Sequence, residues 1–248
     1  MSVMIPSAID HIAIAVPRPS AAVSRYRDEF GGGSVASGRR AGISIDQILF
    51  PPDSKLEIVA PDPQHPNRKH MEEFLARHGS VVHHVTLRVD SVAKCAKTLA
   101  RDGVRMLGAS TSDPRYHEAF VHPADAGGVM VQLSWKDVDD EGWARRYGHV
   151  SSRPRESAPR FLGARWSHQN LRMVALQWAR LGARVVGDDY SCVVDWPKCA
   201  LKLFYVSGGD RVVEELLFEG INEVKASFEA GPAVATQGHD DARLRSSL

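Results

Sequence analysis

Two stretches of the chain share one alternation of apolar and polar residues, and this repeat constrains the fold most. IDHIAIAV at residues 9–16 and VHHVTLRV at residues 82–89 both have the period of a β-strand. Each is followed by a segment of helical spacing that ends at glycine, at residues 21–30 and 92–102. Extended segments follow at residues 42–50, 55–60, 117–122 and 129–134. The chain is therefore predicted to contain two copies of a βαβββ unit.

A third, weaker copy of the unit follows residue 160. Its first strand is predicted at residues 161–166, where Phe161 replaces the histidine of the earlier copies, and its helix at residues 172–181. Its other strands are predicted at residues 183–186, 192–195 with 201–206, and 212–218. The predicted fold class is α+β, with paired βαβββ modules and a third, degenerate module. The predicted organisation is a two-module domain (1–140), a linker (141–160), the third module (161–229) and a flexible tail (230–248).

Four polar residues occupy matching places in the first two modules. His11 and His84 lie on the first strand of each module, and Glu57 and Gln132 lie on the last. Residues at equivalent places in paired modules come together, so we expect these four side chains to converge. Two imidazoles, a carboxylate and an amide oxygen suit a divalent ion such as Mn, Fe, Co, Ni or Zn.

The alternative for each of these residues is a purely structural role. A single histidine on a strand is more often a packing residue than a ligand, but the symmetric placement of all four favours a metal site. Glu57 and Gln132 also interrupt apolar strands, where burial without a partner is costly. His83 is expected to point to the face of its strand opposite His84.

Charge and composition narrow the classes of partner. The 31 Lys and Arg residues balance 30 Asp and Glu, so no nucleic-acid partner is expected. No apolar run is long enough for a membrane span, and no basic segment precedes the first strand, so no secretory signal is expected. Three cysteines without CxxC spacing favour a reduced, cytoplasmic protein. The third module is expected to pair with that of a second chain in a homodimer, although a lid over the metal site or a metal-free ligand site stays open.

Four segments are informative together: DHIAIAV, KLEIVAP, FLARHGSVVHHVTLRVD and EAFVHPADAGGVMVQL. They resemble the vicinal oxygen chelate superfamily, which includes glyoxalase I, methylmalonyl-CoA epimerase, extradiol dioxygenases and bleomycin-resistance proteins. The resemblance covers about residues 8–135 and is strongest to methylmalonyl-CoA epimerases and glyoxalase-like proteins. It implies paired modules around one divalent metal ion that holds two oxygens of a carbonyl or acyl-thioester substrate. The implied reaction is abstraction of a proton next to a carbonyl through a metal-stabilised enolate, catalysed by an isomerase or a lyase.

The sequence departs from the epimerase pattern at the last strands. In the epimerases the first module supplies the amide ligand and the second supplies a glutamate, whereas here Glu57 comes first and Gln132 second. An amide cannot act as a base, so that role does not carry over to Gln132. The second catalytic glutamate of the epimerases falls at Asp46, and laying IDQILFP on HEAFVHP pairs Asp46 with Glu118. We therefore expect Glu57 and Glu118 to handle protons, with Asp46 spare or assisting.

Three functions stay open at this point. The first is the metal-dependent isomerase or lyase. The second is an Fe(II)-dependent extradiol-type dioxygenase, because His11, His84 and Glu57 form a two-histidine, one-carboxylate triad. The third is a non-catalytic, resistance-type binding protein, which the intact ligand set disfavours. The substrate, the metal and any involvement of CoA or glutathione stay open.

Overall fold

Two β-sheets form the part of the chain that the computed structural model describes, residues 6, 8–146, 149, 151–208 and 214–224. The first module comprises β1 (Ala8–Ala15), helix α1 (Pro19–Val23) with a π-helical continuation (Ser24–Glu29), β2 (Gly33–Arg40), β3 (Ile43–Phe50) and β4 (Ser54–Pro61). The second comprises a 3-10 turn (Pro66–Arg68), α2 (Lys69–His78), β5 (Val81–Arg88), α3 (Val92–Arg101), β6 (Met106–Ser110), β7 (Tyr116–Val121), a 3-10 turn (Pro123–Asp125) and β8 (Met130–Lys136). Helix α4 (Asp140–Arg146) precedes the third module, β9 (Phe161–His168), α5 (Leu171–Arg180), β10 (Arg184–Gly187), β11 (Ser191–Asp195) and β12 (Lys202–Ser207). The strands β13 (Glu214–Phe218) and β14 (Ile221–Val224) follow.

The first two modules share one eight-stranded sheet. Its strand order is β2-β3-β4-β1-β5-β8-β7-β6, with β1 and β5 antiparallel at the centre, where the modules meet. Each module has its last strand parallel to its first, so the two halves have the same topology. The predicted α+β fold of paired βαβββ modules is thereby confirmed.

Alternation along the central strands separates a core face from a polar face. Ile12 and Ile14 of β1 and Leu56 and Ile58 of β4 are fully buried in the main hydrophobic core. The residues that alternate with them along each strand point to the other face of the sheet, which carries His11 and Glu57. One face of the sheet therefore packs in the hydrophobic core, and the other face carries the polar candidate site residues.

The third module differs from the prediction in its last strand. Strand β12 runs parallel to β9 and completes the βαβββ unit, so the predicted strand at 212–218 is an extra element. That element, β13, lies antiparallel beside β9, as β5 lies beside β1, and forms a hairpin with β14. The strand position through which a second module would pair is therefore filled by the same chain.

Aromatic contacts join the third module to the core face of the first sheet. Phe218 lies 5.1 Å from Phe50 and 5.0 Å from Phe30 between ring centroids. Gln177 of α5 accepts a hydrogen bond of 2.8 Å from the backbone N–H of Gly127 in the second module. These contacts lie on the face opposite His11 and Glu57, so the described part of the third module is not a lid over them.

The segment between the second and third modules is folded against the first. It begins with α4, and the Ser152 N–H then donates a hydrogen bond of 2.8 Å to the Ser34 carbonyl on β2. Arg155 makes a second backbone hydrogen bond of 2.8 Å, to Gly31. The predicted tail, 230–248, lies outside the described residues. Among the helices that are described, none has the length and apolar character that a membrane crossing requires.

Candidate metal centre

Three strands bring His11, Glu57 and His84 into one buried cluster. The Glu57 Oε2 atom lies 3.4 Å from His11 Nε2, and its Oε1 atom lies 3.5 Å from His84 Nε2. Ala13 of β1 pairs with Glu57 on one side and His84 on the other, so its small side chain leaves room between them. The candidate ligand atoms of the three residues lie within 4.8 Å of one another. This spacing is close enough for all three to contact a single ion.

Two β-bulges between β1 and β5 shape this cluster. On β1, Ile9 and His11 pair with consecutive residues of β5, so Asp10 is an extra residue on β1. On β5, Val82 and His84 pair with consecutive residues of β1, so His83 is an extra residue on β5. A bulge re-aims side chains that would otherwise alternate. Asp10 therefore reaches His11 Nδ1 at 2.8 Å, and His83 Nδ1 lies 2.8 Å from His84 Nδ1. The expectation that His83 points away from His84 was wrong, because simple alternation fails at a bulge.

The Asp10 contact determines which nitrogen of His11 faces the cluster. His11 Nδ1 donates to Asp10, so Nε2 points to Glu57 and Thr86. Burial lowers the pKa of His11, but the charges of Glu57 and Asp10 outweigh burial and raise it to about 9. Burial by itself raises the pKa of the Glu57 carboxyl, but the contacts with His11, His84 and Gln47 outweigh burial and lower that pKa to about 2. Without a metal, the pair is therefore an ionised carboxylate beside an imidazolium.

His84 has the opposite character. Burial, together with the neighbouring His83, lowers its pKa to about 3, so the ring is neutral. Its Nε2 atom is buried and receives no hydrogen bond from any residue that the structure describes. An unsatisfied buried nitrogen is unfavourable. A cation between Glu57 and the two histidines would satisfy this atom, so the residues fit a divalent ion.

Gln132 and Glu118 lie beside the cluster. The fully buried Thr86 lies 2.9 Å from His11 Nε2, and its hydroxyl donates a hydrogen bond of 2.7 Å to Gln132 Oε1. The Gln132 amide nitrogen in turn donates to Glu118 Oε2 at 2.9 Å and to the Tyr116 hydroxyl at 3.1 Å. Thr86 therefore connects Gln132 to His11, and Gln132 in turn connects Glu118 to the cluster.

Asp46 does not join this group. Gln47, its neighbour, pairs directly with Glu57 and donates a hydrogen bond of 2.7 Å to Glu57 Oε2. Asp46 thus points to the other face of β3, where burial raises its pKa and where Arg27 and His149 are the nearby basic side chains.

The expected match of Asp46 with Glu118 is wrong by one residue. Gln47 pairs with Glu57 in the first module, and Phe120 pairs with Gln132 in the second, so Gln47 is the structural counterpart of Phe120. The turns that follow β3 and β7 differ in length. An alignment that matches the prolines of these turns therefore shifts β3 by one residue relative to β7. A slip of one residue moves a side chain to the other face.

Several residues around the cluster were missed by sequence reasoning. Thr86 lies two residues after His84 on β5, so strand alternation places both side chains on the same face. Gln47 pairs with Glu57 across β3 and β4, so these two side chains also share that face. Helix α2 was also missed, although Met71, Phe74 and Leu75 have helical spacing. The Phe74 ring lies 5.0 Å from the His83 ring, so α2 packs beside the cluster.

The first two modules are similar to known proteins. Residues 10–121 match the family model described as "Glyoxalase/Bleomycin resistance protein/Dioxygenase superfamily". The mitochondrial methylmalonyl-CoA epimerase of Dictyostelium discoideum is 25% identical over 132 residues, which are 52% of this chain and 78% of the relative. The ethylmalonyl-CoA/methylmalonyl-CoA epimerase of Cereibacter sphaeroides is 28% identical over 131 residues, 50% of this chain and 95% of the relative.

A solved structure shows a similar extent of likeness. The crystal structure of methylmalonyl-CoA epimerase from Mycobacterium tuberculosis is 24% identical and gives a TM-score of 0.48, covering 58% of this chain and 97% of that chain. The residues that match the family model lie within the part of the sequence that forms the eight-stranded sheet. Residues 10–121 of this chain are thus similar to the glyoxalase/bleomycin resistance protein/dioxygenase superfamily.

Proposed function

We propose that the protein is a divalent-metal-dependent isomerase that moves a proton on the carbon next to a thioester carbonyl, as a methylmalonyl-CoA epimerase does. The observation that carries the proposal is the buried cluster of His11, Glu57 and His84, with a second carboxylate, Glu118, nearby and partly open to solvent. The epimerase relatives support the same reaction class and a CoA thioester substrate.

Four side chains are proposed to hold the cation. His11, Glu57 and His84 are the inner three, and Gln132 is the fourth through its amide oxygen. That oxygen accepts a hydrogen bond from the Thr86 hydroxyl, which itself lies 2.9 Å from His11 Nε2, and this proximity supports the role. When bound there, a divalent cation acts as a Lewis acid that makes a proton next to a carbonyl more acidic.

Glu118 is the proposed base. Its Oε2 atom accepts from Gln132, and its Oε1 atom accepts a hydrogen bond of 2.8 Å from Arg40. The Arg40 guanidinium also lies over the Tyr116 ring, 4.6 Å from its centroid. Two anchors keep the carboxylate in one orientation, which proton transfer requires. Burial and the charge of Glu118 raise the pKa of Tyr116, so this phenol stays protonated beside the base.

A second candidate function rests on the same three ligands. His11, His84 and Glu57 are also the set found in Fe(II) oxygenases, with two histidines and one carboxylate. An extradiol-type dioxygenase is therefore the alternative to test, and a resistance-type binding protein is the non-catalytic one.

Hydrogen exchange into methylmalonyl-CoA tests the proposal. Protein loaded with Co²⁺ is incubated with this substrate in D₂O, and NMR follows loss of the proton on the carbon between the two carbonyls. We expect exchange that a chelator abolishes and that Glu118→Gln slows by at least about 100-fold. The control, Glu72→Gln on the exposed face of α2, should exchange normally. Absence of exchange in the metal-loaded protein would refute the epimerase, and oxygen uptake with a catechol after iron loading would favour the dioxygenase.

We also propose that the protein is cytoplasmic and forms a homodimer. All three cysteines are unpaired in the structure, which fits a reducing compartment such as the cytoplasm. We propose a homodimer that uses a surface other than the strand position filled by β13. Light scattering on the eluted protein measures its mass, and a monomer mass would refute the dimer.

A further inference from the structure

A chain of charged residues, buried at Asp10 and Lys55, lies behind His11, and the proposed reaction does not use it. Asp10 accepts hydrogen bonds from His11 and from Lys55, each 2.8 Å long. The Lys55 side chain is only 3% exposed, and its ammonium also donates to Asp140 at 2.9 Å. Arg88 completes the surroundings of Asp10 as a further ion-pair partner.

Burying such a network is costly. Removing ions from water carries a large desolvation penalty, and well-packed apolar residues in their place are often as stable or more stable. Stability alone is therefore a weak reason for Lys55 and Asp10 to be charged. The network must be judged by what it does to the residue it contacts, His11.

The geometry points to a positioning role. A metal-binding histidine commonly donates its other ring N–H to a carboxylate, which fixes its orientation and the nitrogen left for the ion. We infer that the Asp10–Lys55–Asp140 chain positions His11 for a divalent cation, and that helix α4 takes part through Asp140. Lys55 holds Asp10 in place, and Asp140 holds Lys55 from the first turn of α4. This inference rests on the metal site of the proposed function.

Metal affinity separates positioning from simple stability. Zn²⁺ affinity is measured by competition with a chelator for the wild type, Asp10→Ala, Asp10→Asn and Lys55→Met, with thermal unfolding of each metal-free protein. We expect Asp10→Ala and Lys55→Met to bind Zn²⁺ about 10- to 100-fold more weakly. Asp10→Asn keeps an oxygen for the His11 N–H and should lie between Asp10→Ala and the wild type.

The matched control is a second part-buried ion pair, distant from the site. Arg165 and Glu215 pair across β9 and β13, with side chains 17% and 12% exposed. Glu215→Gln should change thermal stability without changing Zn²⁺ affinity by more than about twofold. NMR of the zinc-loaded wild type should also show a hydrogen-bonded Nδ1–H proton on His11 that Asp10→Ala loses.

The outcomes distinguish the two proposals. A wild type that binds no Zn²⁺ overturns the metal site and this inference together. A wild type that binds Zn²⁺ while Asp10→Ala and Lys55→Met bind it equally well overturns the positioning role alone. An equal loss of affinity in Glu215→Gln also overturns it, because the effect would then follow general stability.

Discussion

Gln47 and Glu57 face each other across β3 and β4, and the Gln47 amide donates a hydrogen bond of 2.7 Å to the Glu57 carboxylate. This pairing turns Asp46 to the opposite face of the sheet. Asp46 therefore lies on the face of the sheet away from the cluster. Glu118, which contacts the cluster through Gln132, is the proposed proton carrier.

The first prediction compares these two carboxylates. Glu118→Gln should lower substrate hydrogen exchange by at least about 100-fold, because an amide cannot take up the proton. Asp46→Asn should stay within about threefold of the wild type, because Asp46 points away from the cluster. Exchange rates measured by NMR check both. A larger loss with Asp46→Asn than with Glu118→Gln would contradict the register argument.

The second prediction concerns the metal itself. His84→Ala should reduce the bound metal from about one ion per chain to none, because three inner ligands are needed to hold it. At a free Zn²⁺ concentration about 100 times Kd, the wild type should gain about 2.7 kcal/mol of stability and the variant none. Elemental analysis and thermal unfolding measure the two effects. His117→Ala, whose ring packs on Trp135 away from the cluster, is the control and should keep its metal.

The third prediction is the pH dependence of metal binding. In the metal-free protein the pKa of His11 is raised to about 9, that of Glu57 is lowered to about 2 and that of His84 to about 3. Near neutral pH only His11 therefore carries a proton that a cation must displace. Metal affinity should rise about tenfold per pH unit from about pH 6 to 8 and level off near the pKa of His11.

Calorimetric titration at several pH values measures this slope. A slope close to zero would mean that His11 is already neutral. A slope close to two would mean that a second ligand is protonated, which would contradict the low pKa of His84.

The fourth prediction tests the contact between the second and third modules. A Cβ atom at Gly127 would lie 2.6 Å from the Tyr205 hydroxyl and 2.7 Å from Trp178 Nε1, whereas one at Gly128 would meet nothing within 4 Å. Both glycines have positive φ, so alanine is strained at either position. Gly127→Ala should destabilise the protein by about 1–3 kcal/mol more than Gly128→Ala, because only the first overpacks the interface. Equal losses in chemical unfolding would contradict this packing.

Much of the candidate site follows from local patterns. Strand periodicity and the internal repeat predicted that His11, Glu57 and His84 share one face of paired modules, and the structure brings these three side chains together. The same repeat predicted Gln132 beside them, and two hydrogen bonds through Thr86 connect Gln132 to His11. Their role as metal ligands stays a prediction.

Other features depended on how distant segments meet. The sequence alone determined the βαβββ units and the polar face of each strand, because side-chain alternation is a local property of the backbone. The tertiary structure decided that Gln47 rather than Asp46 faces Glu57, that bulges turn Asp10 and His83 towards the histidines, and that β13 fills the place beside β9. Register, bulges and strand order arise from hydrogen bonds between segments far apart in the chain, and no local pattern specifies them.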